Sequence, residues 1–229
     1  MNRKNISLFA SAALLSLSGL CAHAQLMQIS SPTGLNAADV ITPGYPDKNG
    51  DILSSPFHLS AGGNTVTFSA QNGFSFSRHD AGTSIDFPFG TKLLLTYDFI
   101  FTHSIDGPLQ LDFASGIREF GLSAQDYALD SESFTVNAYD DKTLLGSFTT
   151  PMTDNISDVG TALFLGGKVT GSDVITTVTV SSTSSVGLNN LFFFGPVTFA
   201  TATPEPGTLA LLLSSGIGGG LLLRRKSRR

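Results

Sequence analysis

Asp47-Lys48-Asn49-Gly50-Asp51 places side-chain oxygens at alternate positions, as the opening of a calcium loop does. An EF-hand requires glycine at the sixth position and glutamate at the twelfth; Ile52 and Leu59 stand there, so that loop type is excluded. Two readings stay open: an Asx-type turn, or a calcium site of another kind using Asp47, Asn49 and Asp51. Asp126, Asp130 and Glu132 form a second acidic stretch open to the same two readings, whereas Asp140-Asp141 reads as hairpin chemistry. Beyond residue 24 the histidines are His58, His79 and His103, none in a paired ligand spacing, and each reads as a surface or loop residue. His79-Asp80 imitates part of a catalytic triad, but no Gly-x-Ser-x-Gly elbow lies between Gln25 and Thr203. Glu119 and Glu132 are the only glutamates in that span, and spacing in sequence does not reveal a carboxylate pair for glycoside cleavage. No catalytic residue is assigned, and the chain is read as a non-enzyme. Thr65-Val-Thr67 and Thr177-Val-Thr179 present short hydroxyl ladders, too few for an ice-binding array and read as solvent faces of strands.

The elements that carry these residues read as strands. Asn64 to Ala70 alternates apolar and polar residues, Gly73 to Arg78 follows an Asn-Gly turn, and Lys92 to His103 is a long apolar run. Leu109 to Phe113 and Ile117 to Leu122 read as two further strands. Ser133 to Tyr139 alternates, and Asp140-Asp141-Lys142 turns it into Thr143 to Thr149. Ala162 to Leu165, Val174 to Ser181 and Leu191 to Phe199 complete the series, with Pro196 implying a sheet edge or a bulge. Roughly ten short strands without a long amphipathic helix predict an all-β fold, a single β-sandwich of jelly-roll type. Phe99, Phe101 and Phe192 to Phe194 are read as buried in it rather than as a sugar platform, and tryptophan is absent. Gln25 to Ser60 is turn-rich and is expected to wrap the sheets as loops.

Charge is distributed unevenly. Charged residues are 14% of the chain, and Lys and Arg at 3, 4, 224, 225, 226, 228 and 229 crowd the two ends. Between Gln25 and Thr203 stand six bases against 17 acids, a net charge of −11. Such a surface repels phosphates, so nucleic acid is excluded as a partner, while cations are attracted. At the N-terminus, Arg3 and Lys4 precede an uncharged Leu/Ala/Ser stretch from Ile6 to Leu20. Ala22 and Ala24 supply small residues for signal cleavage before Gln25, which predicts a secretory signal peptide and passage through the Sec translocon. Leu20 before Cys21 argues against lipidation; after cleavage the mature chain has no cysteine and no disulfide. At the other end, Pro204-Glu205-Pro206 is followed by sixteen uncharged residues, Thr208 to Leu223, and then Arg224, Arg225, Lys226, Ser227, Arg228 and Arg229. The prolines hold the motif extended, the apolar segment spans about 24 Å as a helix, and the basic cluster stops transfer on the cytoplasmic side.

That order of motif, apolar helix and basic cluster resembles the PEP-CTERM sorting domain, also called the ice-binding protein C-terminal domain. The resemblance covers residues 203–229. It implies recognition at Pro204, Glu205 and Pro206 by exosortase, a multi-pass membrane cysteine peptidase. It makes the apolar helix a transient membrane anchor and Arg224, Arg225, Lys226, Arg228 and Arg229 a retention cluster; an ordinary uncut anchor is the alternative. Gly90 to Phe199 also looks like the globular domain often found ahead of such tails, through Gly90-Thr-Lys-Leu-Leu-Leu-Thr96, Phe120-Gly-Leu-Ser-Ala-Gln-Asp126, Phe134-Thr-Val-Asn-Ala-Tyr-Asp140, Leu144-Leu-Gly-Ser-Phe148 and Phe164-Leu-Gly166. Those domains end in a Phe-Ala-Ile-Asp-Asp-like motif; Gly187-Leu-Asn-Asn-Leu191 stands here, with amides in place of the acids.

The expected organisation is a signal peptide at 1–24, a turn-rich wrap at 25–60, the sandwich at 61–200 and the sorting tail at 203–229. The expected function is that of an exported surface or matrix protein, with polysaccharide as the candidate ligand and calcium as the candidate ion. A polysaccharide hydrolase or lyase, a purely structural adhesin and an ice binder are the competing readings.

Overall fold

The computed structural model describes residues 25–36, 39–42, 50–70, 75–81, 87–88, 90–97, 107–127, 131–152, 162–184 and 190–202. The signal segment with Ala22 and Ala24, and the whole tail from Thr203 to Arg229, lie outside the described residues, as do Asp47, Asn49 and Asp130. Among the described residues there is no α-helix, and no helix is long and apolar enough to cross a membrane.

Thirteen strands occur among the described residues: β1 (Leu26–Ile29), β2 (Asp39–Ile41), β3 (Ile52–Ser54), β4 (Phe57–Ala61), β5 (Asn64–Ala70), β6 (Ser75–Asp80), β7 (Lys92–Tyr97), β8 (Leu109–Asp126), β9 (Ser131–Asp140), β10 (Thr143–Pro151), β11 (Leu163–Val169), β12 (Ile175–Ser184) and β13 (Phe192–Thr201). They form one antiparallel hydrogen-bonded network in the order β10-β9-β12-β8-β13-β7-β6-β3. The remaining strands attach to its flanks: β5 and β11 pair with β8, β4 with β5, β1 with β11, and β2 with β13. The fold is all-β.

β8 organises this network because it changes partners midway. Its first residues, Leu109 to Phe113, pair with β5 and with β12. Its second half, Ile117 to Asp126, pairs with β13 and β11. The sequence suggested two strands here; the structure makes one of 18 residues. The change of partner falls at Ala114-Ser115-Gly116. Asn64, fully buried, holds the Ser115 backbone from both sides, donating to its carbonyl at 2.7 Å and accepting from its N–H at 2.9 Å. At Gly116 a Cβ would sit 2.5 Å from Val174.

The strand groups on either half of β8 turn apolar faces toward one another. Val66, Phe68, Leu111, Phe134, Val136 and Val178 come from one group; Phe76, Leu94, Phe192, Phe194, Val197 and Phe199 come from the other, and all twelve are buried. Ring contacts join the groups, with centroids 6.1 Å apart for Phe68–Phe194, 5.2 Å for Phe134–Phe192 and 5.7 Å for Phe113–Phe199. Edge-on and offset rings at such distances add to the area term of burial. A smaller cluster of Leu93, Leu95, Phe193, Leu191 and Phe87 covers the opposite face of β7 and β13.

Several local expectations meet the structure directly. Asn64–Ala70 is β5, and the hairpin between β9 and β10 turns on Asp141 and Lys142, with Asp141 in the left-handed region at φ 50°. Pro196 sits at a bulge: between Phe194 and Val197, β13 advances one residue more than β8 opposite it. A proline inside a central strand is tolerated there because the ladder is interrupted. The expected loop wrap at 25–60 is corrected. Four short strands, β1 to β4, lie in that segment, each paired antiparallel with a longer strand. Strands of three to five residues give no periodic signal of their own; the edges they pair with supply their hydrogen bonds.

Candidate functional site

The outward face of β4, β5, the first part of β8, β12, β9 and β10 is mostly polar, with the exposed Leu144 opposite Tyr139 as an apolar exception. Strand register places His58, Thr67, Asp112, Thr177 and Tyr139 side by side in one row across five strands. A second row runs Ser69, Gln110, Thr179, Asn137 and Ser147. Alternation forces this arrangement: Val66, Phe68, Leu111 and Val178 enter the core, so their neighbours point out.

Cross-strand hydrogen bonds fix many of these side chains. His58 Nδ1 lies 2.9 Å from Thr67 Oγ1, Asn137 donates to Thr179 at 3.2 Å, and Thr135 and Thr149 are 3.0 Å apart. Asp112 is the centre of the network. Thr177 donates to its Oδ1 at 2.7 Å, and Gln110 Nε2 donates to both carboxylate oxygens at 3.0 and 2.9 Å. Pairs of this kind are the unit of sheet stabilisation, and they hold each hydroxyl in one rotamer.

Beside Asp112 the face deepens into a cleft of about 650 Å³, lined by Asp112, Phe113, Asp141, Lys142, Thr143, Thr176 and Thr177. The hairpin that forms its wall is tied to β12. The Asp141 N–H donates to Thr176 Oγ1 at 2.7 Å, and that hydroxyl donates to the Tyr139 carbonyl at 3.3 Å. The cleft thus presents two carboxylates, one ammonium and three hydroxyls, beside the buried Phe113. It is shallow and wide open to solvent, and the mixture of acceptors and donors suits a polyhydroxylated ligand.

The sequence candidates fall elsewhere. Asp51 directly precedes β3, where its backbone carbonyl accepts from the Arg78 N–H at 2.9 Å. Asp126 ends β8, buried opposite Phe192, and Glu132 lies in β9. Among the described residues no three or more His, Cys, Asp or Glu gather as metal-holding groups do. His79 and Asp80 are consecutive on β6, so they leave the strand on opposite faces. Asp80 pairs with Lys92 at 2.8 Å and with Arg78 at 3.3 Å. The His79 ring packs edge-on against Phe193 with centroids 5.3 Å apart. Burial lowers the His79 pKa below its ordinary value, against a smaller upward pull from Asp80.

Folding keeps His79 neutral, so the unfolded chain binds more protons just below the ordinary histidine pKa, and stability rises with pH there. Denaturant midpoints are expected to fall as pH drops from about 7 to 5, and His79→Leu is expected to flatten that slope. Equal slopes in the parent and the variant would remove His79 as the cause.

Asp112 and Thr176 are not singled out by the sequence. Thr177-Val-Thr179, Asp141, Lys142 and Thr143 are visible there only as strand and hairpin residues, and their convergence is not. Thr177 and Asp112 are 65 residues apart, and no local pattern announces their pairing. The one available signal was the alternation of Leu109-Gln-Leu-Asp-Phe113, which sets Gln110 and Asp112 on one face.

The class these features define is an all-β protein with an open polar sheet face and a cleft at one side of it. No family model matches the chain, and no curated protein matches it. A solved structure of a glycoside hydrolase family 43 arabinoxylan arabinofuranohydrolase from Bacillus subtilis, in complex with cellotetraose, is similar at a TM-score of 0.31 and 18% identity. The match covers 59% of this chain and 27% of the length of that one.

Proposed function

We propose that this chain is an exported bacterial surface or matrix protein whose β-sandwich, of jelly-roll type, binds polysaccharide without cleaving it. The binding site is the cleft at Asp112. The observation that carries this is the pinned carboxylate beside three threonine hydroxyls and Lys142, on a face already rigid through its own hydrogen bonds. Preorganised polar groups bind hydroxylated ligands at low ordering cost. The facing ring contacts on either side of β8 support the sandwich reading.

The itinerary belongs to the same proposal. The signal segment delivers the chain to the Sec translocon, the PEP-CTERM-like tail holds it in the membrane, and exosortase removes that tail. The mature protein then acts at the cell surface or in the exopolysaccharide matrix. Calcium is the candidate ion and nucleic acid is excluded by charge.

A glycan array, read with and without EDTA, tests the binding. Asp112→Ala is expected to weaken binding of the selected glycan by about 10- to 100-fold, the worth of hydrogen bonds to a charged group. Equal affinity in parent and variant places the ligand elsewhere. Asp112 and Asp141 line one cleft, which favours a hydrolase as the second reading. Reducing ends released from the bound polysaccharide would establish that reading instead.

A further inference from the structure

Glu119 is a buried carboxylate contacted by three polar groups. It lies on the second half of β8, only 4% exposed. Register sets it directly across from Lys168 on β11. Lys168 Nζ lies 2.7 Å from Glu119 Oε1. The side-chain amide of Asn36 donates to the same oxygen at 3.3 Å, and the Asn36 backbone N–H donates to Oε2 at 2.7 Å. An amine and a carboxamide, 132 residues apart in sequence, are therefore held one oxygen apart by one buried carboxylate. Burial alone would raise the Glu119 pKa; the hydrogen bonds from Lys168 and Asn36 outweigh it and hold it below its ordinary value. Glu119 is thus ionised and paired with the Lys168 ammonium it touches, so taking a proton from that amine is the uphill step.

An ion pair would need only Lys168 and Glu119. A backbone cap would need only the Asn36 N–H. Neither requires the Asn36 carboxamide on the oxygen that receives the ammonium. All three groups together are the parts of an acyl transfer: a nucleophilic amine, an amide carbon and a shared acid–base group.

We propose that Lys168 and Asn36 become joined by an intramolecular isopeptide bond, with Glu119 as the proton shuttle. Lys168 gives one proton to the Glu119 carboxylate, and the freed amine attacks Cγ of Asn36. The tetrahedral adduct collapses with cleavage of Cγ–Nδ2. Two protons lost by the ammonium, one carried by Glu119 and one moved within the adduct, leave with that nitrogen as an ammonium ion. Glu119 returns to the carboxylate, nothing is oxidised or reduced, and no cofactor enters. Holding the reactants together replaces a bimolecular encounter with a unimolecular step. It occurs once per chain, so a slow step suffices.

The bond would tie the N-terminal segment that follows the 3₁₀ turn at Pro32–Gly34 to β11 and β8. The only cysteine of the chain is Cys21. A chain that loses it with the signal segment has no disulfide with which to make such a staple.

Intact mass of the full chain, purified in its folded state, tests the proposal. The expected mass is one ammonia below that of the sequence. Proteolysis should yield a branched peptide joining Asn36 to Lys168, with no tryptic cleavage after Lys168. Lys168→Arg keeps the charge opposite Glu119 but cannot form the amide; it should show the full mass and unfold at a lower temperature. Glu119→Ala should also keep the full mass. An unmodified mass for the folded parent would overturn the proposal. So would an ammonia loss mapped to any residue other than Asn36.

Discussion

Phe194→Ala is expected to lower the stability of the folded chain by about 3–5 kcal/mol, the range for deleting a fully buried phenylalanine. Phe194 has no exposed surface. Its ring lies 6.1 Å from Phe68, 6.2 Å from Phe76 and 6.3 Å from Phe192. Phe68 belongs to the strand group on the first half of β8, and the other two belong to the group on the second half. Truncation therefore opens a cavity at the point where the groups meet, and neighbours on rigid strands collapse into it only in part. The shift in urea midpoint measures the loss. A double-mutant cycle with Phe68→Ala should return a coupling of about 0.5–1.5 kcal/mol, because the rings touch across the interface. A loss within about 0.5 kcal/mol, the scale of surface changes, would contradict the facing of the two groups.

The strand framework was legible where residues alternate. Val66, Phe68 and Ala70 interleave with Thr65, Thr67 and Ser69, and Phe134, Val136 and Ala138 interleave with Thr135 and Asn137. One face buried and the other wet leaves a period of two that needs no partner to be read. Pro196 pointed to a sheet edge or a bulge because proline cannot donate to a ladder, and the bulge is what forms. The unity of β8 was hidden because Ala114-Ser115-Gly116 breaks the alternation. Its continuity depends on Asn64, far away in sequence, satisfying the Ser115 backbone. β1 to β4 were hidden for a related reason: their existence is a property of the edges they pair with.

The same distinction separates the candidate site from the residues first noticed. Asp47-Lys48-Asn49-Gly50-Asp51 drew attention because calcium loops are local in sequence, and local patterns are what a sequence displays. The cleft is non-local. Asp112, Thr177 and Asp141 meet only through the pairing of β8, β12 and β9. β8 serves core and site together, since Leu111 and Phe113 go inward while Asp112 goes outward. A change that slips β8 by one residue would exchange those faces, losing the core and the cleft in one step. The cleft is therefore held in place by the same aromatic packing that Phe194 completes.

At the far end of the chain the expected effect is on processing. Glu205→Gln is expected to slow removal of the tail by about 10- to 100-fold, the worth of a charge-assisted hydrogen bond at a recognition site. Thr203 and Glu205 each precede a proline, which biases the preceding residue away from helix, so the proposed recognition would take the carboxylate on an extended strip. Replacing Pro204 and Pro206 by alanine removes that restriction and lets helix extend through the motif, so the double variant should resemble Glu205→Gln. Intact mass of protein recovered from the native host reads both: the parent should end near Pro204, while the variants should still carry Arg229. Replacing Arg224, Arg225, Lys226, Arg228 and Arg229 by serine supplies a separate readout, since it leaves the motif unchanged but removes the charges proposed to stop transfer, and uncut chain is then expected to leave the membrane. A parent that still carries Arg229 where the sorting enzyme is active would make the tail a permanent anchor. Variants trimmed at the parental rate would move recognition away from the Pro-Glu-Pro motif.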